Sequence, residues 1–524
     1  MKTNPNSLAF AALAAALLGG AAAAAGEVTL KSFDGSISVT GEFVSFDGTS
    51  YRIRSAIGEM TIDAFQVSCE GADCPAPEAL QSQFTVAGAR TLGAALLPAL
   101  FEAYSFQVDG DMMMSTAENE ATKLTLSDAD GAALADVALN MRGSTAGIRD
   151  IATGDAVFAV TTRPILSSEA AEASAAGAGD LSQPGLENIL ALDGILIVTS
   201  PANPVRALSE QDAARIFSGQ VTNWAEVGGL DSPINLYVPG EDTGTGFVFN
   251  NLVMQPAGVE MAGTATALES DAEVSDAVAG DPQGIGITSF SNERNAKAIA
   301  IRGVCGIQTP ANAFTIKTEE YPLTRRLYLY RPDRTLPPVA QKFVDFVASD
   351  EAQRTIADLG FVDQGVSAQR VNEQGLRFVA AVLPTDAEVT LSQLQSMMRE
   401  LIAADRLSIT FRFEAGAASL DTRAEADVRR MAAMMARGEF DRKEVLLIGF
   451  TDSVGRADLN ENLSRARAQQ VLDALTAAAP PGSLDNITFT VQGYGEMSPL
   501  GCNETLNGRQ INRRVEVWVR DRVG

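Results

Sequence analysis

Residues 27–80 alternate apolar and polar positions around Asp-Gly pairs. Ser32-Phe33-Asp34-Gly35 recurs as Ser45-Phe46-Asp47-Gly48, which predicts successive hairpins and a small all-β module over 26–80. The texture then changes to short apolar runs followed by helical stretches. Phe84-Thr-Val-Ala leads into a Leu/Ala helix, Val157-Phe-Ala-Val ends in Thr-Thr-Arg-Pro, and Ile195-Leu-Ile-Val precedes a long helical stretch. Such alternation predicts an α/β region over 81–371 with largely parallel sheets, long enough for two lobes. Residues 372–404 read as a helical linker with Leu391, Leu394, Met398 and Leu401 on one face. Strands at 408–413, 445–449, 488–492 and 515–519, with helices at 424–435 and 460–475, predict a compact α+β domain over 405–524.

Composition narrows the class. A chain of 524 residues suits three or four domains, and 46% hydrophobic with 20% charged residues is ordinary for a folded protein. Histidine is absent, which removes Ser-His-Asp and Cys-His triads, histidine-ligated zinc and histidine general bases together. The net charge of −26 opposes nucleic-acid binding, which needs a basic surface to neutralise phosphates. That charge is uneven: residues 405–524 hold 16 basic against 17 acidic side chains, so nearly all the excess lies earlier. The break marks a domain boundary near residue 400.

Met1-Lys2, an apolar run over 8–18, Gly19-Gly20 and an alanine tract ending at Ala25 form the pattern of a secretory signal peptide over 1–25, cleaved near Ala25. No later run is long and apolar enough for a spanning helix. Export permits disulfides among Cys69, Cys74, Cys305 and Cys502. Cys69 and Cys74 are close enough to close a small loop. Cys305 and Cys502 lie in separate predicted domains, and both pairing across an interface and free thiols stay open. No metal site or cofactor is expected.

The α/β region repeats one local device. Gly88-Ala-Arg-Thr-Leu, Gly143-Ser-Thr-Ala-Gly and Thr243-Gly-Thr-Gly each precede a helix-like run. Glycines let backbone N–H groups approach a ligand, and a helix N-terminus favours negative charge. Hydroxyls of Thr91, Ser144, Thr145, Thr243 and Thr245 add donors, so an oxyanion site needs no basic surface. Any one of these turns alone is an ordinary N-cap.

In order along the chain, Gly143-Ser-Thr-Ala-Gly-Ile, Gly154, Thr162-Arg-Pro and Asp193-Gly-Ile-Leu-Ile-Val are followed by Asn203-Pro-Val and Ile216-Phe-Ser-Gly-Gln-Val-Thr-Asn-Trp224. Thr243-Gly-Thr245 and Gly284-Ile-Gly286 close the series. With these motifs, residues 83–371 resemble the PstS-type phosphate-binding periplasmic proteins, two-lobed receptors of phosphate ABC transporters. The resemblance implies that the lobes close on phosphate or a related oxyanion. Together with the turns above, this makes Arg90, Thr91, Arg142, Ser144, Thr145, Thr162, Thr243, Gly244 and Thr245 the expected anion contacts. Two positions depart from the family: Pro239 replaces an arginine four residues before the Ser-Gly-Thr turn, and Thr162 replaces an aspartate that accepts the proton of hydrogen phosphate. Losing that acceptor weakens discrimination against sulfate. Arg90, Arg142, Arg149 and Arg163 are the candidates to supply the missing positive charge.

Near the C-terminus, Gly449-Phe-Thr-Asp452-Ser-Val-Gly455 precedes Asn460 and Leu463-Ser-Arg-Ala-Arg467-Ala. Gly493-Tyr-Gly-Glu, Pro499, Asn503, Gly508-Arg509 and Asn512-Arg-Arg-Val-Glu516 follow. This stretch resembles the OmpA C-terminal domain, which binds peptidoglycan non-covalently. Diaminopimelate in the wall peptide carries an ammonium and a carboxylate on one carbon. The resemblance gives the ammonium to Asp452 and the carboxylate to Arg467. Asn460, two helical turns before Arg467, is a helper or a cap. Leu463 and Ala466 are expected in the core, and Arg513 and Arg514 in the groove or in salt bridges.

The expected protein is therefore multidomain: a small all-β N-terminal module, a two-lobed α/β periplasmic-binding-protein fold and a C-terminal α+β OmpA-like domain. It would be an exported periplasmic receptor for phosphate or a related oxyanion, associated with the cell wall and serving an ABC permease. It is not an enzyme, because no Asp/Glu metal cluster or Ser/Lys pair accompanies the motifs. The alternative is a structural wall-binding protein whose receptor domain has lost or changed its ligand.

Overall fold

A computed structural model describes residues 26–32, 37–46, 50–63, 67–75, 82–116, 122–240, 243–375, 377–378, 389–413 and 420–522. The expected leader and the two Asp-Gly turns near residues 34 and 47 lie outside them. The chain divides into Met1–Gln81 and Ser82–Gly524.

In the first unit, Gly58–Asp63, Ser50–Ser55, Ser38–Phe46, Glu27–Ser32 and Val67–Glu70 form a five-stranded antiparallel sheet in that order. Period-two alternation buries Tyr51 and Ile53 with Val28 and Leu30 and leaves Arg52 and Arg54 outside. The Cys69–Cys74 disulfide closes the last loop.

The second unit begins with two lobes that share one long sheet. In the first lobe, Ser82–Gly88 runs parallel to both Ala133–Asn140 and Phe158–Thr161. In the second, Asn235–Pro239 runs parallel to Thr266–Leu268 and Gly284–Ser289. Two strands join the lobes. Glu187–Thr199 pairs first with Thr324–Tyr330 and then with Gly284–Ser289, and Thr324–Tyr330 also pairs with Phe158–Thr161. Helices cover both faces, so these strands read as continuous apolar runs. Phe217 and Trp224, the aromatic ends of the Phe-Ser-Gly…Asn-Trp motif, are buried in the second-lobe core. Trp224 Nε1 donates to the Gln283 carbonyl at 3.0 Å, so that motif packs a lobe.

The C-terminal sheet runs Ala368–Arg370, Asp405–Arg412, Arg514–Asp521, Lys443–Phe450, Thr488–Gly493. Lys443–Phe450 is buried on both faces. Val445 and Leu447 meet helices Thr422–Ala436 and Ala457–Ala478, whereas Leu446 and Ile448 meet helix Leu391–Leu401. The helix expected within a linker thus seals the second face of this sheet. It does so with Met397 and Leu401, and Leu391 is exposed. Leu463 and Ala466 are exposed rather than core. Helix Ala457–Ala478 turns Asn460, Ser464, Ala468, Val471 and Leu475 inward, because a Cβ on Gly493 would crowd Ser464 Oγ at 2.6 Å, and Gly449 packs against the same turn.

This domain is fastened mainly to the second lobe. Cys305 and Cys502, left undecided by the sequence, form a disulfide. Arg406 pairs with Glu320, and Arg326 bridges Glu319 and Asp421. Arg412 and Arg423 donate to the carbonyls of Lys317, Thr318 and Glu319. Those carbonyls end helix Ala313–Lys317, where partial negative charge favours cations. Burial pushes the Glu319 carboxyl up, but Arg326, Arg423 and Arg412 around it hold it down at about 2. At the centre of the C-terminal domain, the fully buried Glu516 takes Arg377, Arg406 and Arg514.

Candidate functional site

The first-lobe site grows from a switch in strand order. The chain leaves Ser82–Gly88 for a neighbour on one side and returns on the other, so the turns after these strands gather at one edge. Gly88, at φ +139°, lies so close to Val160 that any Cβ would strike its carbonyl. A Cβ on Gly147 would come within 2.8 Å of Gly88 Cα. Gly143 N–H donates to the Gly88 carbonyl at 2.7 Å. These close approaches set the 88–91 turn beside the N-terminus of helix Ser144–Thr153. Ser144 Oγ accepts from the Thr162 N–H at 3.4 Å.

The second lobe meets this edge directly. Thr243 caps helix Gly244–Phe249, its hydroxyl accepting from Gly246 N–H at 3.1 Å. Gly244 rests on Thr162, and a Cβ there would collide with Thr162 Oγ1. Ser144, Thr162, Thr243 and Gly244 therefore share one junction between the lobes.

The other expected anion contacts are placed differently. Thr245 is fully buried; its hydroxyl donates to Asp271 Oδ2 at 2.6 Å and accepts from Arg325 Nη2 at 3.2 Å. With its one proton spent on Asp271, that side chain has none for a ligand. Thr145 accepts from Arg163 at 2.8 Å, and Arg163 forks onto Glu169. Arg142 reaches both oxygens of Asp150 at 2.8 Å. Arg90 and Thr91 are exposed, and Arg90 has no ion-pair partner among the described residues.

The C-terminal site is assembled within one domain. Asp452, Asn460 and Arg467 are all buried. Asp452 accepts from Arg513 Nη1 at 2.7 Å and from Val454 N–H at 3.1 Å. Asn460 lies inside its helix rather than at the cap and donates to the Asp452 carbonyl at 3.3 Å. Arg467 lies over the Phe413 ring at 5.3 Å. Burial first, and then the charge of Arg513, lower its pKa against the pull of Asp452. Arg467 Nη1, Arg513 Nε and Thr451 Oγ1 are buried without hydrogen-bond partners. Two guanidiniums against one carboxylate leave a net positive site with spare donors, the electrostatics that a carboxylate ligand requires. Arg514 is structural, bound to Glu516.

Residues 82–351, more than half of the chain, match the model of the PBP superfamily domain. The chain belongs to the PBP superfamily. Residues 412–513 match the OmpA family. Protein SphX of Synechococcus elongatus is 26% identical over 254 residues, which cover 46% of this chain and 73% of that protein. The phosphate-binding protein PstS of Staphylococcus epidermidis is 28% identical over 240 residues, covering 44% and 70%. Among solved structures, an ABC-type phosphate transport receptor from Vibrio cholerae is 24% identical with a TM-score of 0.40, covering 53% of this chain and 99% of that one. The peptidoglycan-associated lipoprotein of Burkholderia pseudomallei is 19% identical with a TM-score of 0.19, covering 21% and 89%. The PBP superfamily comprises solute-binding domains rather than a class of enzymes.

One charge pair in the PBP superfamily domain escaped the sequence reading, although Asp193 stands in a motif quoted there. Asp193 and Arg325 sit side by side on the two strands that join the lobes. Arg325 Nε and Nη2 reach Asp193 Oδ2 at 3.0 and 2.6 Å, and Arg325 Nη1 is buried without a partner. Burial pushes the Asp193 carboxyl up, and Arg325 offsets only part of that. The available signal was an aspartate inside the apolar run of Glu187–Thr199, since a lone charge there requires a partner.

Proposed function

We propose that this protein captures phosphate or a related oxyanion between its lobes, for delivery to an ABC permease, while bound non-covalently to peptidoglycan. The observation that carries the receptor half is the junction at Thr162, where the Ser144 turn of one lobe meets Gly244 of the other. Ser144 Oγ and the N–H groups opening helices Ser144–Thr153 and Gly244–Phe249 provide the oxyanion donors. Arg90, free of carboxylates, supplies positive charge in place of an arginine at Pro239. At the wall, Asp452 takes the diaminopimelate ammonium and Arg467, helped by Arg513, takes the carboxylate; Asn460 holds the Asp452 turn. Both activities imply a periplasmic, wall-associated location with a leader removed near Ala25.

Calorimetric titration of the protein with phosphate, after stripping bound anion and with sulfate as competitor, tests the receptor half. Binding weakened by Ser144→Ala and by Gly244→Ala supports it. One observation favours a second reading, a wall-binding protein whose lobes have lost or changed their ligand: the Thr245 hydroxyl is committed to Asp271. In that case neither anion gives heat, and sedimentation with purified peptidoglycan persists.

A further inference from the structure

Closure of a two-lobed receptor bends the strands that join its lobes, so anything attached on both sides of the bend limits it. The OmpA-type domain is attached in this way. On the second-lobe side stand the Cys305–Cys502 disulfide and the Arg406–Glu320 pair. On the joining strands the attachment is helix Thr422–Ala436. Its cap, Asp421, accepts from the Ala424 N–H at 2.8 Å with one oxygen and from Arg326 Nη2 at 2.9 Å with the other. Arg326 lies in Thr324–Tyr330 opposite Leu192 and also donates to Glu319 Oε2 at 2.8 Å. Thr422 is hydrogen-bonded to Glu187, the first residue of Glu187–Thr199. Further along the helix, Arg430 Nη2 donates to Gln364 Oε1 at 3.2 Å, and Gln364 Nε2 donates to the Ile189 carbonyl at 2.6 Å. One helix thus grips both joining strands.

The grip continues into the oxyanion junction. Adjacent residues of a strand point to opposite faces. Arg326 faces the OmpA-type domain, while Arg325 turns the other way, to Asp193 at 2.6 Å and to the Thr245 hydroxyl at 3.2 Å. Thr245 belongs to helix Gly244–Phe249, whose first residue rests on Thr162. From Asp421 to Thr245 each step is a pairing of buried or half-buried groups.

We infer that the OmpA-type domain is a brace across the receptor's hinge, with Asp421 and Arg326 as positioning residues that hold the lobes near the angle at which Gly244 meets Thr162 before any anion binds. The anion is that of the proposed receptor function, on which this role rests; the brace itself acts with the site empty. A site assembled in advance loses little binding energy to closure, so the brace raises affinity without touching the ligand. Releasing it populates open lobes, and apparent affinity falls with the fraction that remains closed.

Nitroxide labels at Glu172→Cys in the first lobe and Glu260→Cys in the second, both exposed positions, report the distance between the lobes of the full chain by pulsed electron spin resonance. The parent is expected to give one narrow distance that phosphate leaves nearly unchanged. Asp421→Asn keeps a good helix cap while removing the charge that faces Arg326, and Arg326→Gln removes the other charge. Each is expected to broaden the distance without anion and to weaken phosphate at least about threefold in calorimetric titration. Arg326→Lys keeps the charge and is expected to recover part of the parent behaviour. A merely structural pair would lower the thermal midpoint and leave distance and affinity as they were; that result in both variants overturns the brace. So does a parent whose lobes stand apart until phosphate is added. If the parent takes up no phosphate while Asp421→Asn still broadens the distance, the brace stands and the oxyanion reading alone fails.

Discussion

The two candidate sites in this chain are built on opposite plans. At Asp452 the charges lie within one domain, Asp452 already paired with Arg513, with the Nη1 of the buried Arg467 and the Nε of Arg513 unspent. At Thr162 the groups that meet are neutral and come from two lobes, with the exposed Arg90 proposed to add charge from beside them. Most nearby charges there are paired with each other: Arg142 with Asp150, Arg163 with Glu169, Arg325 with Asp193. A charged site within one domain is preorganised, and its affinity rests on a few strong contacts. A neutral site between lobes spreads its affinity over dipoles and depends on closure. The first should fail sharply on a single substitution, the second gradually.

The largest effect is therefore expected at the wall site. Asp452→Ala leaves the buried Arg467 and the half-buried Arg513 unopposed, a loss of about 2–5 kcal/mol or roughly 30- to several-thousand-fold in affinity. Sedimentation with purified peptidoglycan measures it, and phosphate binding by the same variant should be unchanged. Arg467→Lys keeps charge without the fork, so an intermediate loss is expected.

Next comes the fastening between the regions. Cys305→Ser with Cys502→Ser removes a cross-link spanning 197 positions and is expected to cost about 2–4 kcal/mol, read as a lower midpoint in calorimetry. Peptidoglycan sedimentation should persist, since Asp452 and Arg467 need no receptor lobe. Loss of sedimentation would break the claim that the wall site is self-contained.

Acid should loosen both this interface and the core of the C-terminal domain. Glu319 is held at about 2 against an ordinary 4.5, and Glu516 is also held below its ordinary value, burial being outweighed by Arg377, Arg406 and Arg514. A depressed carboxylate pKa gives stability that is full above the unfolded value and lost as pH falls through the folded one. Stability should thus decline from about pH 4.5 towards pH 2. Near-ultraviolet circular dichroism follows it through Trp518, whose Nε1 donates to Glu516 at 2.9 Å.

The smallest effects belong to the lobes. Gly244→Ala drives a methyl into Thr162 and is expected to weaken phosphate about tenfold, or about 1.4 kcal/mol. Arg90→Ala, at an exposed position, is expected to weaken it severalfold, and more at low salt. A complete loss with either would contradict the distributed design.

How much was legible in the sequence follows the same division. Asn460 and Arg467 could be placed on one face because helical spacing sets them two turns apart, whereas Asp452 was joined to them by the resemblance to the OmpA C-terminal domain. The inward face of that helix was misjudged at Leu463 and Ala466, since the close approach of Gly449 and Gly493 to Ser464 is a contact between elements. In the lobes, the turns of Ser144 and Thr243 were readable as local patterns. The partners that occupy Thr145, Arg142 and Thr245 were harder to see, as Asp271 lies 26 positions from Thr245. Asp193 with Arg325, separated by 132 positions, and the Cys305–Cys502 bridge belong to tertiary structure, which no local periodicity encodes.

The most direct test of an anchored oxyanion receptor is co-sedimentation of radiolabelled phosphate with purified peptidoglycan in the presence of the protein. The label is predicted to pellet with the protein, and to stay in solution when Asp452→Ala replaces it. Protein that pellets while the label remains in solution would contradict the receptor half and leave a wall-binding protein with a different ligand or none.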